Sequence, residues 1–296
     1  MTLNSKNMKS IKFLAILFAS TVFAVLLHQI RHDPLMTVGT KAKSVVITSG
    51  YFPLAAFSSL IVAFGVIGLM FLAIHKTLYG TKYRKGALFG MALGGMYFVG
   101  MIEAYAAYPV PLLGEVFTGM VDGCGILFMS LLLGRYLADD STDLEPPEPW
   151  RFSSILIISI AYVLIRYFSY TVIQIESGYS EKPLATFLWT AAMGCWIGVM
   201  YMSVGRHIYQ ESPFSQSLAF GGLIYGFNWL IFNLFVLLFI KASIADLFYR
   251  ALLDTLAIVI GVYCFAKISK IRKSGKSNNK REVVQVSYPY QDKKEL

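Results

Sequence analysis

The chain has 296 residues, of which 56% are hydrophobic and 15% charged, with a net charge of +9 and a mean hydropathy of +0.59. Soluble domains carry roughly a quarter charged residues, so this balance excludes an ordinary water-soluble fold. The positive charge does not indicate a nucleic-acid partner, because it gathers between apolar runs, where it orients a chain in a lipid bilayer.

Eight runs near the roughly 20 apolar residues needed to cross the hydrocarbon core lie at about Ile11 to Ile30, Tyr51 to His75, Ala87 to Tyr105, Leu112 to Gly134, Phe152 to Ile175, Ala185 to Val204, Leu218 to Ile240 and Asp246 to Ile268. They are too long and too continuous for barrel strands, which alternate over about 10 residues. The expected fold class is all-α integral membrane: about eight transmembrane helices in two parallel four-helix repeats, with both termini cytoplasmic.

In the first run, Lys6, Lys9 and Lys12 precede an apolar stretch that continues past Ala24 into Val25-Leu26-Leu27, which favours a retained helix over a cleaved signal peptide. His28 and His32 share a face at its end, but His75 and His207 fall on the other side of the membrane, so no metal site is expected. Cys124, Cys195 and Cys264 each sit inside a run without C-x-x-C spacing, which argues against disulfides and zinc. No cofactor is indicated.

Glycines recur at helix-packing intervals: Gly86, Gly90 and Gly94 in the third run, Gly119 and Gly123 in the fourth, Gly222 and Gly226 in the seventh. Lipid is as apolar as leucine, so helices associate where small residues let backbones approach. Packing within the chain is the expected use, and a homo-oligomer or a membrane partner is the other.

After the fourth run, residues 139–151 are acidic and rich in proline and read as a cytoplasmic linker between halves 1–138 and 152–269. Two stretches starting at Lys85 and Gln216, about 131 residues apart, align with few identities. Phe89-Gly90 meets Phe220-Gly221, Gly95 meets Gly226, Glu115 meets Asp246, and a slip of one residue brings Asp122 onto Asp254. Each half has an even number of spans, so the repeat is parallel, about an axis along the membrane normal.

Residues 270–296 form a basic tail, expected to be disordered and cytoplasmic, whose lysines and arginines suit anionic lipid headgroups as well as topology. With the N-terminus inside, basic residues crowd the inner segments, while the outer loops hold only Arg31, Lys41, Lys43, Lys182, Lys241 and Arg250. That asymmetry sets the orientation. The cell membrane is the expected location and the bilayer the principal partner.

Ionisable groups within spans are costly, by about 2.5 to 3.5 kcal/mol on insertion scales, so each is a functional candidate. Glu103, Glu115, Asp122, Arg166, Asn228, Asn233 and Asp254 all fall between the midplane and the outer face, whereas the inner half is almost purely apolar. Glu115 and Asp122 lie on one helix face, and Asp246 and Asp254 repeat the arrangement with Arg250 between them. Four acids thus face one deep base, and the surplus must be protonated, hydrated or paired with a cation. The plainer alternative has Arg166 bridging one carboxylate to fix helix register, with the two asparagines bonded to neighbouring backbone.

No catalytic constellation is present: a G-x-S-x-G elbow is missing, as is an H-E-x-x-H pair. The expected function is a small permease with an outward-side polar cavity, Asp122 and Asp254 as central carboxylates and Arg166 as charge partner. A non-transporting accessory, immunity or sensory protein acting through its glycine faces is the alternative, and an intramembrane lipid-modifying enzyme is the weaker one.

Overall fold

The structure, a computed structural model, describes residues 5–30, 43–140, 152–208 and 212–286, with side chains from residue 7 to residue 270. Eight helices are long and apolar enough to cross a membrane: Asn7–Gln29, Phe52–Ile74, Lys82–Ala107, Leu112–Leu137, Phe152–Ile173, Pro183–His207, Pro213–Phe239 and Ile244–Lys270, here spans 1 to 8. The chain is a multi-pass membrane protein. Most of the expected linker and His32 lie outside the described residues, as do the side chains of the basic tail. The helix of span 8 runs on to Val286.

Proline sets several starts, supplying the fixed φ of a first turn without needing its missing N–H: Pro53 opens span 2, Pro183 span 6 and Pro213 span 7. Span 3 begins at Lys82, ahead of the expected Ala87, because the Thr81 hydroxyl accepts the Arg84 N–H at 3.4 Å. Lys85 is thereby drawn into the first turn and wholly buried, its ammonium donating to the Asp139 carbonyl at 2.8 Å. The half of the bundle nearer the N-terminus is therefore less apolar than expected, since a residue placed in an aqueous loop is covered by the segment following span 4. His75, just past span 2, is buried beside it. Burial pushes the imidazole below its usual range, the Leu72 carbonyl opposes this, and Lys85 adds to it.

Span 1 lies against spans 2 and 4, and spans 2 and 3 each against span 4; span 5 lies against spans 6 and 8, and span 7 against span 8. Between halves, span 3 meets span 6 and span 7 meets span 2. The glycines make these approaches. A Cβ on Gly86 would stand 2.4 Å from the Ser130 carbonyl oxygen, one on Gly94 2.8 Å from that of Gly123, and one on Gly119 2.8 Å from that of Phe98. Gly90 meets Ser130 and Leu127, and Gly226 meets Thr255. Gly222 has nothing within 4 Å, and its neighbour Gly221 makes the contact instead, against Val259.

Gly86→Val is expected to force spans 3 and 4 apart and destabilise by about 1–3 kcal/mol, whereas Gly222→Ala should change stability by less than about 0.5 kcal/mol. Thermal unfolding in detergent measures both. Equal losses would show that the glycine ladder is not set by these contacts.

Three spans depart from regular α-helix, spans 3 and 5 in the half of the bundle away from the N-terminus, here the far half, and span 7 in the half nearer it. Span 3 is interrupted at Ile102, span 5 ends in π-helical turns at Ser169–Ile173, and span 7 is π-helical over Leu218–Gly226. Such turns hold an extra residue per repeat and often mark functional positions. Span 5 terminates at Gln174, whose φ of 59° is left-handed. From there a strap crosses the end of span 3: Lys182 Nζ donates to the Tyr105 and Tyr108 carbonyls, both at 2.7 Å. That satisfies acceptors which a helix C-terminus leaves open. On the same face Ser44 and Lys43 join the end of span 7, the Ser44 N–H donating to the Phe239 carbonyl at 3.0 Å.

Candidate functional site

Interruption of span 3 at Ile102 places Glu103 at the start of a new turn facing spans 5 and 8. One of its oxygens, Oε1, accepts from two guanidinium groups, Nη2 of Arg166 and Nη1 of Arg250, each at 2.6 Å. Arg166 also reaches Asp254 Oδ2 through Nη1 at 3.4 Å, and that oxygen accepts the indole N–H of Trp229 at 2.7 Å. Arg250 continues to Asp246 Oδ2 at 3.4 Å and to the Glu176 carbonyl in the strap, while the Glu176 N–H donates to Asp246 Oδ1 at 3.1 Å. Three carboxylates and two guanidiniums therefore form one chain of contacts from span 3 through spans 5 and 8 to the strap. Arg166 is completely buried, and Trp189, Tyr170 and Tyr162 surround its guanidinium carbon with ring centroids at 4.8, 5.6 and 5.9 Å. Charge pairs and ring faces together replace the water that both arginines give up.

Beside this network, in the same half of the bundle, lies a cavity of about 650 Å³. Its walls come from spans 1, 2, 3 and 4 of the first half and spans 7 and 8 of the second. Most of the lining is aromatic or aliphatic, including Phe57, Phe64, Tyr97 and Phe232. The polar groups on the wall include Glu103 and Arg250, where the ion network surfaces, and Asp122, Thr118, Asn233 and His28. His28 Nε2 stands 3.0 Å from Asp122 Oδ1, joining the end of span 1 to the middle of span 4. A few convergent polar groups in an apolar hollow between helices is the usual construction of a small-molecule site, and the volume lies within the ordinary range of about 300–1,000 Å³.

The seven candidate residues divide. Glu103, Asp122 and Asn233 line the cavity; Arg166 and Asp254 are joined to each other and lie off its wall, Arg166 meeting it through Glu103. Asn228 and Asn233 each donate to the carbonyl four residues earlier, at 2.7 and 2.8 Å, and Asn228 also donates to the sulfur of Met70 in span 2. Glu115 is buried near the start of span 4 and lies off the cavity wall. Arg250, placed by the sequence among outer-loop cations, is instead 4% exposed and doubly paired. The spacing that signals this is its position one turn from both Asp246 and Asp254. Trp229 and Trp189 went unpredicted because single polar tips on apolar runs carry no periodic signal, and His28 was weighed only as a metal ligand with His32, not as a partner of Asp122. Among the described residues, no three His, Cys, Asp or Glu side chains converge as a metal site requires.

Comparison with protein-family models, curated proteins and solved structures finds no match.

Proposed function

We propose that the protein is a small permease of 4+4 architecture, moving a small solute or ion through the cavity of its far half. The observation that carries this reading is a cavity at membrane depth whose walls come from both halves and include two carboxylates, Glu103 and Asp122. Ionisable groups at that depth face aqueous pathways or substrates as a rule, and a site between repeats is where rocking of one half against the other gives alternating access.

The matching helix neighbours support an internal duplication. Gly90 faces Leu127 as Gly221 faces Val259, and Gly94 faces Gly123 as Gly226 faces Thr255. The second pair of glycines is one residue further apart than the first, and the π-helical stretch Leu218–Gly226 absorbs the difference, which makes Gly94 rather than the expected Gly95 the counterpart of Gly226. The same register sets Asp122 against Asp254. Basic residues concentrated on the side of the termini support a cytoplasmic placement for that face, which leaves the cavity in the outward half.

The glycines offer the accessory-protein reading little, since all but Gly222 of the seven candidates pack inside the chain. Flux into vesicles reconstituted with the protein tests the permease. Asp122→Asn is expected to reduce flux of whichever solute the wild type moves by about tenfold or more, as for loss of a group that carries charge in transit. Unchanged flux for every transported solute would remove Asp122 from the pathway, and absence of flux for all solutes would remove the permease.

A further inference from the structure

The second half contains a built-in cation site. Asp254 of span 8 holds the Arg166 guanidinium delivered by span 5, and three aromatic rings enclose it. In the first half the corresponding acid is Asp122 of span 4, and the span corresponding to span 5 is span 1. Span 1 delivers no arginine to this depth. It delivers His28, which bonds the Asp122 carboxylate from the far end, and beside them lies the aromatic-walled cavity.

Among the described residues the charges on and beside the cavity wall are not balanced. Glu103, Asp246 and Asp254 share two guanidiniums, Arg166 and Arg250, so the network already carries one carboxylate more than cations. Asp122 adds a further carboxylate, and the ring of His28 is the basic group bonded to it. Toward the far rim the described cations are Lys43, Lys182 and Lys241, none of which lines the cavity, and Lys182 is held over Tyr105 and by the carbonyls ending span 3. A carboxylate in an apolar hollow draws a counter-ion, and aromatic faces attract the same sign of charge through their quadrupoles.

We propose that the cavity binds a monovalent organic cation with an apolar body, its charge held by Asp122 and its body by Phe57, Phe64, Tyr97 and Phe232. This inference rests on the permease reading for its purpose, but binding is measurable without transport. The ligand takes the part that Arg166 plays in the second half, with the cavity supplying room for a bulky substituent. An inorganic cation is less suited, because most of the wall has no oxygen ligands to replace its hydration shell.

Tetraphenylphosphonium and tetraphenylborate have nearly the same shape and opposite charge, which makes the decisive comparison possible in the unmodified protein. Binding of each to the purified protein in nanodiscs is measured by equilibrium dialysis, with protein-free nanodiscs of the same lipid as the reference. Saturable binding of the phosphonium and none of the borate is expected. Asp122→Asn should weaken the phosphonium by about tenfold or more, and Phe57→Leu by about two- to fivefold.

Equal binding of the two ions, or no saturable binding of the phosphonium, would overturn the proposal. So would a folded Asp122→Asn protein that binds as the wild type does. Charge-selective binding without flux in vesicles would sustain the cation site and sink the permease. Flux of a neutral or anionic solute without phosphonium binding would do the reverse.

Discussion

Arg166→Leu is expected to destabilise the protein by about 3–5 kcal/mol, the usual cost of leaving the partners of a buried charge unpaired. Its removal withdraws the contact to Asp254 at 3.4 Å and one of the two donors on Glu103, while both carboxylates stay enclosed. Asp254 then keeps the Trp229 indole N–H as its donor, at 2.7 Å, and Trp189, Tyr162 and Tyr170 lose the cation they surround. Arg166→Lys should recover only part of the loss. An ammonium offers a point charge, whereas the planar guanidinium reaches two carboxylates at once and stacks on rings.

The double variant Arg166→Leu, Asp254→Leu should be more stable than Arg166→Leu alone, because it removes the stranded charge along with its partner. Thermal unfolding in detergent, followed by tryptophan fluorescence, reads all three. If the single variant melts with the wild type, the network is not a structural tie between span 3 and spans 5 and 8.

Gly178→Ala is expected to be nearly as damaging, at about 3 kcal/mol, although it adds one methyl group. A Cβ there would lie 1.8 Å from the Ala106 carbonyl oxygen, a backbone atom at the end of span 3 that cannot rotate aside. Overpacking of this kind costs about 1–3 kcal/mol. Relief requires the strap to lift, and the strap carries the Glu176 carbonyl that accepts from Arg250 and the Glu176 N–H that donates to Asp246. A hydrogen bond to a charged group contributes about 1.5–3 kcal/mol, so the steric and electrostatic losses add. The variant should also loosen Lys182 from the Tyr105 and Tyr108 carbonyls, which faster proteolysis between residues 174 and 182 would report. A normal melting temperature together with normal resistance to protease would show that the strap is not held against span 3.

Much of the membrane architecture was legible in the residues. An apolar run long enough to span the bilayer is a local property, so all eight helices could be read without contacts, and small residues at four-residue intervals identified faces later found in contact. The boundary of span 3 and the burial of Lys85 were not legible, since the Thr81 cap and the cover from Asp139 are decided by tertiary neighbours.

The site divides along the same line. The sequence by itself determined that Glu103, Asp122, Arg166 and Asp254 are held at membrane depth, because the length of an apolar run fixes how far along it a residue sits. Only the tertiary structure decided who meets whom: Arg250 turns inward to share Glu103 with Arg166, Asp254 goes to Arg166 and Trp229, and Asp122 is left to His28 and the cavity. The physical reason is that a helix sets depth and face through its own repeat, whereas partnership across helices depends on how the spans rotate against one another and on breaks such as the one at Ile102.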